Sequence, residues 1–136
     1  MLPNWKNKLE THNHSPQKVS PSGAAPPIVT AAGGAWSLGG FSADLIAAGA
    51  ESDPFDLHWV DVSNMSANDD YEVVIYYGPS DIECARAAFS RSGVQTSSVQ
   101  VPLHTYILPA GSRVRAKIMS AGGGSSAHLK LFYHNY

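Results

Sequence analysis

Along the second half of the chain, apolar residues recur at every other position in short runs that stop at turn-forming clusters. From Arg113 to Met119, Val114, Ala116 and Ile118 fall on one side and Arg113, Arg115 and Lys117 on the other, the two-residue period of a half-buried strand. Leu129, Leu131 and Tyr133 alternate in the same way with His128, Lys130, Phe132 and His134. This pattern, with its β-branched and aromatic content, predicts strands near 36–47, 55–62, 71–77, 82–89, 98–107, 113–119 and 127–135. Between them, Ser52-Asp53-Pro54, Asn68-Asp69-Asp70, Gly78-Pro79-Ser80-Asp81, Ser92-Gly93, Pro109-Ala110-Gly111 and Gly122-Gly123-Gly124 supply turn chemistry. The alanine-rich run Cys84 to Ala88 leaves a helical turn open inside 82–89. Such a series predicts an all-β, antiparallel β-sandwich of jelly-roll or related type over residues 36–136. Two finer expectations follow. Pro109 and Gly111 suit the second and fourth places of a type I turn that brings 98–107 against 113–119, and the last two strands form a hairpin with a stripe of Arg, Lys and His on one face.

Residues 1–35 break the pattern. Pro3, Pro16, Pro21, Pro26 and Pro27 fix φ and disfavour helix at the residues before them, so this part reads as an extended arm with one short helical candidate at Trp5 to Glu10. Ala31-Ala32-Gly33-Gly34 reads as a flexible joint. An arm of this composition cannot bury a core of its own and is expected to be ordered by a partner surface. Its large or rigid apolar groups, Trp5, Leu9, Val19, Pro26, Pro27, Ile28, Val29 and Trp36, are the expected anchors. Removing residues 1–30 should leave a folded β domain.

The chain's 136 residues suit one domain plus that extension. Net charge is only -2, but it is sorted along the sequence. Ten acids lie between Phe41 and Ala85 with no Lys or Arg among them, whereas Arg86, Arg91, Arg113, Arg115, Lys117 and Lys130 follow Cys84 without a single acid. Sorted charge suits complementary contacts between copies or with a partner, unless folding interleaves the segments. Arg113, Arg115 and Lys117 are therefore a second candidate contact. A pI near 6.3 makes a poor electrostatic footprint for nucleic acid. No apolar run approaches the ~20 residues that cross a bilayer, and the N-terminus lacks a secretory apolar region, so synthesis in a cytoplasm and no membrane partner are expected. Cys84 is the sole cysteine, which excludes an intrachain disulfide.

Little in the sequence carries chemistry. His12 and His14 would need further ligands to chelate a metal. Asp53, Asp56, Asp69 and Asp70 have no EF-hand spacing and read as turn residues. No Gly-x-Ser-x-Gly elbow, phosphate-binding glycine loop or dinucleotide fingerprint is present. Cys84 sits among small apolar residues, as an inert buried thiol does. The expectation is a protein without catalytic residues, cofactor or metal.

The run Ile107-Leu108-Pro109-Ala110-Gly111-Ser112-Arg113-Val114-Arg115-Ala116-Lys117 resembles a segment of small β-sandwich proteins of tailed bacteriophage particles. The stretch from Trp59 to Asn64, that from Tyr71 to Gly78, and the aromatic-rich C-terminal strand are similar in kind. Across about residues 36–136 the chain resembles jelly-roll cement or head-decoration proteins. That resemblance implies a non-enzymatic protein made in the host cytoplasm and placed on the virion's capsid surface. It also implies the major capsid protein as partner, with self-association as a homodimer or homotrimer. A second expectation is a fibre or receptor-binding module that stacks Tyr76 and Tyr77 on a cell-surface glycan; a small hydrolase is a third.

Overall fold

The computed structural model describes residues 17–94 and 97–136, and among them it contains eight strands and no helix. They are β1 (Lys18–Ser20), β2 (Ile28–Thr30), β3 (Phe55–Ser63), β4 (Asp69–Tyr77), β5 (Ile82–Arg91), β6 (Val99–Pro102), β7 (Val114–Ser120) and β8 (Ser126–Asn135). They form two antiparallel sheets, so the fold is the expected all-β sandwich. The larger runs β1-β8-β3-β6, with β2 also on β8, and the smaller runs β5-β4-β7. Alternation decides what is buried. Phe55, Leu57, Val60, Val62, Leu129 and Leu131 of the larger sheet meet Tyr71, Val73, Ile75, Val114, Ala116 and Ile118 of the smaller one.

The part of the arm that is described belongs to this body. Lys18–Ser20 pairs with Tyr133–Leu131, and Ile28–Thr30 pairs with His128–Ser126, so β1 and β2 are two halves of one edge strand interrupted by residues 21–27. Val29 is only 2% exposed and Ala31 5%. The boundary expected at residue 36 therefore cuts through the sandwich, and residues 18–20 and 28–30 are held by pairing within the chain. The reason is β8, whose ten residues leave room for both short strands along one edge.

The strand expected at 36–47 is replaced by an irregular run. Trp36 takes a left-handed φ of 51°, and glycines follow at 39 and 40. The N–H groups of Trp36, Gly39, Ser42 and Leu45 donate to the carbonyls of Ser120, Ile118, Ala116 and Val114 at 2.8–3.1 Å. Each step of three residues here matches a step of two along β7, so β7's open edge is covered without a regular ladder. Only glycine fits at 39, because a Cβ there would lie 1.7 Å from the Thr30 carbonyl oxygen.

With this run counted as an element, the pairings are nested: β2 with β8, 36–46 with β7, β3 with β6 and β4 with β5. The chain is in effect one long hairpin folded over on itself. Several local expectations change accordingly. β5 is a strand throughout, so the helical turn at Cys84–Ala88 is not adopted. β6 stops at Pro102, short of the expected 107. At the Pro-Ala-Gly turn the Ser112 N–H donates to the Pro109 carbonyl, and Gly111 has φ 77°. Pro109 thus holds the first place and Gly111 the third, and the strands on either side enter different sheets, β6 beside β3 and β7 beside β4. For the same reason β7 and β8 form no hairpin. Their polar residues occupy opposite outer faces of the sandwich.

Candidate functional site

On the outer face of the smaller sheet, both arginines of the expected cationic stripe are engaged within the chain. Arg115 donates to both Asp81 oxygens, Nε at 2.8 Å and Nη2 at 2.5 Å, and Arg113 Nη2 donates to the same carboxylate at 3.1 Å. Those bonds, Arg115's first, hold the Asp81 carboxyl below its ordinary range. The Arg115 guanidinium lies 3.7 Å over the Phe41 ring and the Lys117 ammonium 4.2 Å from it. Phe41 in turn meets Tyr76 edge-on at 5.2 Å. Arg86 bridges Glu72 and Glu83, and Lys18 meets Glu51. Folding interleaves the sorted charges, which weakens Arg113, Arg115 and Lys117 as contacts for an acidic partner.

The outer face of the larger sheet is different. Val19, Phe132, Trp59 and Pro102 are successive cross-strand partners, forming an apolar row over β1, β8, β3 and β6. Trp59 and Phe132 stack with centroids 5.1 Å apart. The Trp59 indole N–H is buried and meets no acceptor among the described residues; Asp61 Oδ1, two positions further along β3, is likewise unpartnered.

A β-bulge sits at one end of this row. Leu57 pairs with Tyr133 and Trp59 with Phe132, so His58 is the extra residue. It turns toward the register pair Asp56 and His134. His58 Nε2 lies 3.1 Å from Asp56 Oδ1, and the His58 and His134 rings meet edge-on at 4.1 Å. Tyr136 donates its hydroxyl to the other Asp56 oxygen at 3.0 Å. The donor atoms of Asp56, His58 and His134 lie within 4.8 Å of one another. A cavity of about 340 Å³ opens beside them, lined by Asp56, Leu57, His58, Trp59, Leu103, His104 and Thr105.

The expected arm anchors separate. Val29 is in the core and has no surface to offer. Ile28 and Trp36 are 58% and 49% exposed, whereas Val19, Pro26 and Pro27 are half-buried. Trp5, Leu9, His12 and His14 lie outside the described residues. Tyr76 is enclosed by Phe41 and Lys117, and Tyr77 meets Tyr106 edge-on at 5.9 Å, so the two tyrosines form no common stacking surface. Burial pushes the Cys84 thiol up to about 12, as expected of an unreactive one. Among the described residues no helix is long and apolar enough to cross a membrane.

The row and the three-residue cluster both escape a reading by sequence. Phe132 and His134 are visible as outward positions of β8, but their partners on β3 depend on long-range pairing and on a bulge that no local period reveals. Comparison with protein-family models, curated proteins and solved structures gave no match.

Proposed function

We propose that this chain is a non-enzymatic attachment protein of a phage particle. It binds the outer surface of an icosahedral capsid across neighbouring major capsid subunits, as a homodimer or homotrimer, with the larger sheet facing its partner. The observation that carries this reading is the apolar row Val19, Phe132, Trp59 and Pro102. An outer sheet face meant only for water alternates to polar residues, whereas here four adjacent strands contribute apolar groups to one line. The nested pairings support a jelly roll, the architecture that the resemblance to head-decoration proteins implies. Residues 1–16 lead into β1 at the rim of this face and are suited to extend the contact as a tether.

The test is direct. Purified chain added to heads assembled from the accompanying major capsid protein should bind to saturation and appear at symmetry-related sites in averaged electron micrographs. Failure to bind heads at any ratio contradicts the reading. A second reading, glycan recognition, now rests on Trp59 and the cleft beside His58 and His104 rather than on Tyr76 and Tyr77. Saturable binding to cell-surface oligosaccharide, lost on Trp59→Ala, would favour it.

A further inference from the structure

We infer that Asp56, His58 and His134 form a binding site for a divalent cation of the zinc class. One carboxylate and two imidazoles are donors that favour zinc, cobalt, nickel or copper over calcium and magnesium. Their spacing fits. Metal bonds of about 2.0–2.2 Å in tetrahedral array place neighbouring donor atoms roughly 3.3 Å apart, and His58 Nε2 lies 3.1 Å from Asp56 Oδ1. All three donor atoms fall within 4.8 Å, so side-chain rotation completes the triangle while the backbones stay in register.

Three further features suit such a site. Asp56 and His134 are held opposite each other by the β3–β8 pairing, and the bulge supplies His58 as a third donor from the same strand. Tyr136 fixes the second Asp56 oxygen from outside the donor set, as partners of metal-binding carboxylates do. The cleft borders Asp56 and His58 and keeps one side of the site open, leaving a fourth position for water or a ligand entering past His104 and Thr105. The cation would tie the C-terminal end of β8 to β3 beside the Trp59 and Phe132 row. The inference does not depend on capsid attachment.

Isothermal titration of the full chain with Zn²⁺ should give one site per chain, and the melting temperature should rise with zinc concentration. Co²⁺ should add visible d–d bands, and Ca²⁺ should do neither. Asp56→Asn, His58→Asn and His134→Asn should each weaken zinc binding at least tenfold, and Tyr136→Phe by a smaller factor. His128→Asn, on β8 but outside the cluster, and the pair His12→Asn with His14→Asn should leave affinity unchanged. In case a variant fails to fold, imidazole nitrogen resonances of the unmodified protein give a second readout: those of His58 and His134 should shift on zinc addition and that of His128 should not. Absence of zinc binding, affinity unchanged in the cluster variants, or binding that follows His12 and His14 overturns the inference.

Discussion

Asp81 takes a left-handed φ of 50° at the turn before β5 and from there gathers Arg115 of β7 and Arg113 just ahead of it. Its carboxyl titrates below the ordinary 3.8 because Arg115 and Arg113 bind the charged form. A depressed carboxylate contributes stability that is present above its unfolded value and is lost as pH falls through the folded one. Asp81→Asn should therefore be less stable than the unmodified protein near neutrality, with the two melting temperatures converging as pH drops below 3.8. A carboxyl ¹³C titration placing Asp81 at or above that value would remove the argument. Gly39 gives a steric test. Gly39→Ala forces a methyl into the Thr30 carbonyl and should cost about 1–3 kcal/mol or more, read from the urea midpoint. Gly40→Ala, where a Cβ meets open space, is the control and should cost about 1 kcal/mol at most.

At the scale of elements, the edge strand formed by β1 and β2 changes where the arm can be cut. Deleting residues 1–30 removes Val29 from the core and both β1 and β2 from β8, leaving the edge of β8 away from β3 unpaired, so that truncation should unfold or aggregate. Deleting residues 1–16 keeps both strands and the Lys18–Glu51 ion pair, and should melt as a single cooperative transition close to that of the full chain. Circular dichroism melts of the two truncations distinguish these outcomes. β3, β4, β7 and β8 were legible because an apolar period of two persists along each, whereas the alanine-rich β5 carries no such period and left a helical turn open. β1 and β2 were not: three residues each, set among prolines, cannot display a period. The run 36–46 misled for the opposite reason, since Phe41, Leu45 and Ile46 give it the composition of a strand while its glycines and its three-for-two step along β7 forbid one. Local alternation also does not say which strand lies alongside. That is why β7 and β8 suggested a hairpin, and why the grouping of Asp56, His58 and His134 could not be read.

Across the whole molecule, folding turns a chain with sorted charges into a body whose main ionic contacts are internal, and so redirects attention from the cationic stripe to the apolar row on the opposite sheet. Attachment through that face is the central claim. Co-sedimentation of the chain with undecorated heads tests it when repeated for two double variants: Trp59→Ser with Phe132→Ser, and Arg113→Gln with Lys117→Gln. The account predicts that the first, shown to be folded by its cooperative melt, loses at least tenfold in affinity and that the second binds within about twofold of the unmodified protein. Full binding by the first and loss by the second would contradict it.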